Sequence, residues 1–84
     1  MKNGICAIGM TVPQKDIYYI SWNIDAAEGI GFLQTDDPKA GKITIFTPLS
    51  QLDYIYSFID GLRAEGIKII INDITDSEEN SYGE

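Results

Sequence analysis

Pro13-Gln14-Lys15-Asp16-Ile17-Tyr18-Tyr19-Ile20-Ser21-Trp22-Asn23-Ile24-Asp25-Ala26-Ala27-Glu28-Gly29 is the stretch on which the fold turns. Its residue types suit a strand, with Tyr18, Ile20, Trp22 and Ile24 alternating onto one side. Its spacing suits a helix, because Ile17, Ile20, Ile24 and Ala27 recur at i, i+3, i+7 and i+10. Three local signals decide for the helix. Pro13 suits a helix start, Asp16 lies in the first turn, and Gly29 follows as a C-terminal cap. The spacing therefore predicts a helix over 14–27. The strand reading would make residues 13–16 a turn and add a fifth strand.

The flanks are plainer. Ile5 to Val12 alternate, with Cys6, Ile8, Met10 and Val12 on one side and Ile5, Ala7, Gly9 and Thr11 on the other. Both sides are apolar or small, as a central strand requires. Ile30 to Thr35 reads as a second strand and Lys42 to Thr47 as a third. Between them Asp36-Asp37-Pro38-Lys39-Ala40-Gly41 holds the residues of a tight turn, so the two strands form a hairpin.

Thr47 or Ser50 is placed to cap a second helix, with Pro48 near its start and Gly66 at its end. Leu52, Ile55, Ile59 and Leu62 form its apolar stripe. A last strand is expected over 67–73. Beyond residue 74 the apolar content collapses, so 1–74 reads as one domain and 75–84 as an acidic, disordered tail.

Strand, helix, strand, strand, helix, strand is the βαββαβ order of an α+β, ferredoxin-like fold. It predicts a four-stranded antiparallel sheet with two helices on one face. At 84 residues the chain holds one core and buries only roughly 60% of its unfolded surface, so a partner subunit would add stability.

Composition narrows the function classes. A net charge of −7 repels phosphate backbones and anionic lipid, which argues against nucleic acid and membrane as partners. No apolar run is long enough to span a bilayer, and Met1-Lys2-Asn3-Gly4 does not begin a signal peptide. There is no histidine and one cysteine, Cys6. Zinc, copper and haem sites lean on those residues, and a Ser-His or Cys-His nucleophile pair needs histidine. No catalytic residue, metal site or cofactor is therefore assigned. Cys6 reads as a small buried hydrophobe, and a reducing, cytoplasmic setting fits a lone thiol.

The stretch from Asp25 to Lys42 resembles the middle of a short, uncharacterised bacterial family. There a helix ending in an acidic residue and glycine runs into a strand and a Thr-x-Asp-Pro-x-x-Gly hairpin. Thr35, Asp37, Pro38 and Gly41 match that hairpin. The order of elements also resembles ACT-like regulatory domains. That likeness implies dimerisation and small-molecule binding, and neither likeness brings a catalytic residue.

Two surfaces are candidates for contact. On a helix over 14–27, Tyr18, Tyr19 and Trp22 are expected to point away from the apolar stripe, toward solvent or a partner, whereas a rotated helix or a strand would place Trp22 in the core. On the uncovered face of the sheet, Ile5, Ala7, Thr44, Phe46, Ile70 and Ile74 make a surface too apolar for water alone. Asp36 and Asp37, with Asp25 or Glu28, have the chemistry to hold a hard cation, although turn aspartates more commonly bond the backbone. The residues favour a non-enzymatic domain that forms a homodimer and binds a protein or a small regulatory ligand. The alternative is a small enzyme with a carboxylate and tyrosine site formed between subunits.

Overall fold

Alternation carries β1 (Ile5–Thr11) through the middle of the sheet, with Cys6, Ile8 and Met10 buried on the helix side. The computed structural model describes residues 4–27 and 29–77. After β1 come α1 (Ile17–Ala26), β2 (Phe32–Asp37), β3 (Lys42–Pro48), α2 (Leu52–Ala64) and β4 (Ile70–Ser77). The four strands run antiparallel in the order β2-β3-β1-β4. This is the ferredoxin-like arrangement.

Residues 17–26 are helical. Pro13, at φ −62°, leads into a 3-10 turn at Gln14–Asp16, and α1 follows directly. Ile20 and Ile24 are fully buried, and Ile17 and Ala27 pack against the core. Spacing outweighs β propensity here because only the helix brings all four apolar positions to the sheet.

In α2, Ile55, Ile59 and Leu62 are buried and Leu52 packs beside them. Each of these buried side chains contributes about 1.5–3 kcal/mol relative to exposure. Gly66, at φ +99°, ends the helix: its N–H bonds the Arg63 carbonyl while the Ile67 N–H bonds that of Leu62. The Arg63 guanidinium also donates to the Ile69 carbonyl at 2.9 Å, which ties the helix end to the approach of β4.

The hairpin turn is a packing device. Asp37 Oδ1 accepts from the Ala40 N–H at 3.3 Å, and the Gly41 N–H bonds the Pro38 carbonyl at 3.1 Å. Gly41 stands at φ +72°, and a Cβ there would collide with the Val12 carbonyl. Its own carbonyl accepts the Val12 N–H at 2.9 Å.

Three expectations are corrected. Thr47 and Ser50 cap no helix, since neither helical start carries a side-chain cap. The Thr47 hydroxyl is fully buried and donates to the Ile30 carbonyl at 2.6 Å instead. The last strand begins at Ile70 rather than residue 67, and it continues through Thr75, Asp76 and Ser77, which pair with Ala7, Cys6 and Ile5. Ladder partners on β1 hold a segment whose composition alone would leave it loose. The rest of the expected tail, 78–84, lies outside the described residues. Finally, Ile74 pairs with Ile8 and so stands on the helix side of the sheet. It is exposed there because it lies on the edge strand.

Candidate functional site: the open face of the sheet

Both helices pack on one side, so the other face of the sheet carries no layer among the described residues. Paired residues on neighbouring strands share a face, and the register therefore names the rows of this surface. One row is Phe32, Phe46, Ala7 and Thr75. The next is Gln34, Thr44, Gly9 and Asp73. A third runs Lys42, Thr11 and Ile70.

The first row is aromatic. The Phe32 and Phe46 rings stack at 5.1 Å between centroids with 22° between planes. Such a cross-strand pair contributes about 0.5–1 kcal/mol beyond its burial. Phe32 nonetheless stays 59% exposed and Ile5, at the same end of the face, 44%. Ile70 is 56% exposed. Phe46 and Ile70 thus share the face, at opposite ends of it.

The second row is polar and hollow. Gly9 has no side chain, and a depression of about 420 Å³ opens over it. Gly9, Met10 and Ile43 lie beneath, while Asp36, Lys42, Thr44, Asn72 and Asp73 surround it. Two β-bulges shape this rim. One interrupts β2 between Thr35 and Asp37, and Asp36 is its extra residue. The other interrupts β4 opposite Gly9 and Met10, where Asn72 is extra. Bulges re-aim side chains, and both of these deliver a polar group to the open face.

Asp36 is firmly held. Gln34 Nε2 donates to its Oδ1 at 2.7 Å, and Thr44 Oγ1 donates to its Oδ2 at 2.6 Å. These bonds, Thr44 first, favour the ionised carboxylate and lower its pKa below the ordinary 3.8. Asn72 Nδ2 donates to Thr11 Oγ1 at 2.8 Å. Asp73 reaches across Gly9, where its carboxylate occupies the place a Cβ would take.

The helix aromatics stand apart from this face. Tyr18 is 85% and Trp22 76% exposed on α1. Tyr18 borders a second hollow of about 320 Å³ with Gln14, Ile17, Thr35 and Pro38. Tyr19 is less free, because its hydroxyl donates to Glu65 Oε1 at 2.6 Å and links α1 to the end of α2. That bond, then burial, then the Glu65 charge, raise the tyrosine pKa, against a smaller lowering by Asn23.

The acidic turn residues do not converge. Asp36 faces the hollow, Asp37 closes the turn, Asp25 is exposed on α1, and Glu28 lies outside the described residues. Among the described residues no three carboxylate, thiolate or imidazole side chains meet where an ion could sit. Cys6 is buried, and burial followed by the charge of Asp76 raises its pKa, which keeps the thiol protonated and inert. No helix among the described residues is long and apolar enough to cross a membrane.

Sequence reasoning placed Phe46 and Ile70 on this face but missed Phe32 and the whole hollow. One signal was present. A glycine inside an otherwise well-filled strand marks a place where another group comes close. Comparison with family models, curated proteins and solved structures finds no match to this chain.

Proposed function

We propose that this chain is a non-enzymatic assembly domain whose copies pair through the open face of the sheet, anchored by the Phe32–Phe46 stack. The observation that carries this reading is the stack itself: two aromatic rings on an uncovered sheet, with Ile5 exposed at the same end. Hiding such side chains contributes about 1.5–3 kcal/mol each before the costs of association. A second copy is the partner that always accompanies the chain, and a small domain gains stability from it.

Magnitudes set the kind of dimer. Strands about 4.8 Å apart and about seven residues long give a four-strand face on the order of 400 Å². Full overlap of two such faces would bury roughly 1,000 Å² in total, an upper bound here and near the lower limit for a specific interface. The dimer is therefore reversible and concentration-dependent. Contact centred on the aromatic end keeps the carboxylates of the two hollows apart, which avoids like-charge repulsion.

The βαββαβ order supports the same reading, since ACT-like regulatory domains assemble and bind small ligands. The Thr35, Asp37, Pro38 and Gly41 turn points to kinship with the short bacterial family that carries this hairpin. The buried, lone Cys6 fits a reducing, cytoplasmic setting. Sedimentation over a range of concentrations tests the proposal. A concentration-dependent shift from monomer to dimer is expected, and a strict monomer at high micromolar concentration overturns it.

A further inference from the structure

We infer that the outer face of α1 docks an arginine-bearing segment of another protein, with the guanidinium held between the Trp22 ring and the Asp25 carboxylate. This face lies on the helix side of the molecule, away from the open face of the sheet, so it stays accessible whether or not copies pair.

Helical spacing sets the face. Tyr18, Trp22 and Asp25 recur at i, i+4 and i+7 and share one side of α1. Ile20 and Ile24, its buried residues, take the opposite side. Tyr18 and Trp22 are the most exposed large hydrophobic side chains among the described residues, and Asp25 is exposed beside them. Tyr19 belongs elsewhere, because its hydroxyl donates to Glu65.

The two helices differ at their charged ends. α2 follows its dipole, with Asp53 in the first turn and Arg63 in the last. α1 runs against its dipole. Asp25 lies in the last turn, where the carbonyls already carry partial negative charge, and no base stands in that turn. Lys15 is at the other end of the helix and pairs with Asp16 at 3.4 Å. A cation carried to the end of α1 therefore meets three attractions together: the Asp25 carboxylate, the carbonyl end of the helix and the face of Trp22. The net charge of −7 steers a basic partner toward the chain.

Arginine fits this site better than lysine. Its planar guanidinium stacks on an indole while its fork of donors reaches a carboxylate. The arginine comes from a different protein, since Arg63 is the one arginine of this chain and donates to the Ile69 carbonyl.

The hollow of about 320 Å³ beside Tyr18 sets the rest of the segment. Gln14, Ile17, Tyr18, Thr35 and Pro38 line it, and none of them is charged. It suits an apolar side chain. About seven residues of helix separate it from the Trp22 and Asp25 pair, or roughly 10 Å. An extended chain covers that distance in about three residues. The segment therefore carries an apolar residue and an arginine three positions apart.

Trp22 is the one tryptophan of the chain, so its fluorescence reports from inside the site. The test titrates the full chain with the blocked peptide acetyl-Leu-Ser-Ser-Arg-amide. Controls carry lysine, or the neutral isostere citrulline, in place of the arginine. A saturable change in Trp22 emission is expected with arginine, a weaker one with lysine and none with citrulline. Amide NMR shifts should centre on residues 17–26 and Thr35. Asp25→Asn should weaken binding about three- to fivefold, the scale of an exposed charge pair. Trp22→Leu, followed by NMR, should weaken it by a similar factor. Both side chains are exposed, so circular dichroism of both variants should match the parent. An equal response to arginine, lysine and citrulline, shifts centred away from α1, or undiminished binding by Asp25→Asn would each overturn the proposal.

Discussion

Asp73 lies across the backbone of Gly9, so that its carboxylate fills the space where a side chain would begin. The two residues are register partners on β1 and β4. The relationship makes Gly9 a packing requirement of a different kind from Gly41. At Gly9 the obstacle is the end of an exposed side chain, and no positive φ is involved. At Gly41 the obstacle is the Val12 backbone, and φ is +72°.

The two glycines should therefore respond oppositely to alanine. Gly9→Ala should leave the melting temperature within a few degrees of the parent or slightly above it, because Asp73 can swing away and strand glycine is entropically unfavourable. Gly41→Ala should destabilise by about 2 kcal/mol or more, from the left-handed backbone and the collision with Val12. Chemical denaturation of both variants measures the contrast. Equal losses would contradict it.

Asp36 should titrate below the ordinary carboxyl value of 3.8. The sign follows from the bonds. Thr44 and Gln34 donate to the ionised form, so their contribution is present above 3.8 and is lost as pH falls through the lowered folded value. Thr44→Val should move the midpoint back upward, because the donor that most favours the ionised form is gone. Carboxyl carbon-13 shifts against pH report this directly. An unchanged midpoint in Thr44→Val would assign the shift elsewhere.

Phe46 and Ile70 lie at opposite ends of the open face, which lets the proposed pairing contact be located. Phe46→Glu should weaken self-association by about tenfold or more, as loss of one buried aromatic anchor predicts. Ile70→Glu should do less. Circular dichroism should stay close to the parent in both, since both side chains project away from the core. A stronger effect from Ile70→Glu would move the contact to the other end of the sheet.

Ending the chain after Ile74 should cost about 1–3 kcal/mol, because Thr75, Asp76 and Ser77 then no longer bond β1. The composition of the segment suggests a loss below about 0.5 kcal/mol, the scale of a surface change. Denaturant midpoints of the truncated and full chains distinguish the two. A negligible change would mean that the β4 extension adds nothing to stability.

The sequence by itself determined the order of elements, and it did so through signals that act over a few residues. Four apolar positions at helical spacing made 17–26 a helix despite Tyr18, Tyr19 and Trp22. Asp37, Pro38 and Gly41 marked the hairpin because their backbone preferences are intrinsic. Alternation alone separated Cys6, Ile8 and Met10 from Ile5, Ala7 and Gly9. Tertiary structure decided the rest. Thr47 looked like a cap until the Ile30 carbonyl, distant in sequence, claimed its hydroxyl. The end of β4 looked loose until β1 supplied its hydrogen bonds. The placing of Asp36 and Asp73 around one hollow needed the strand order, two bulges and the empty side of Gly9 together. None of these has a local signature, because each depends on which strands become neighbours, and that is settled only when the whole core closes.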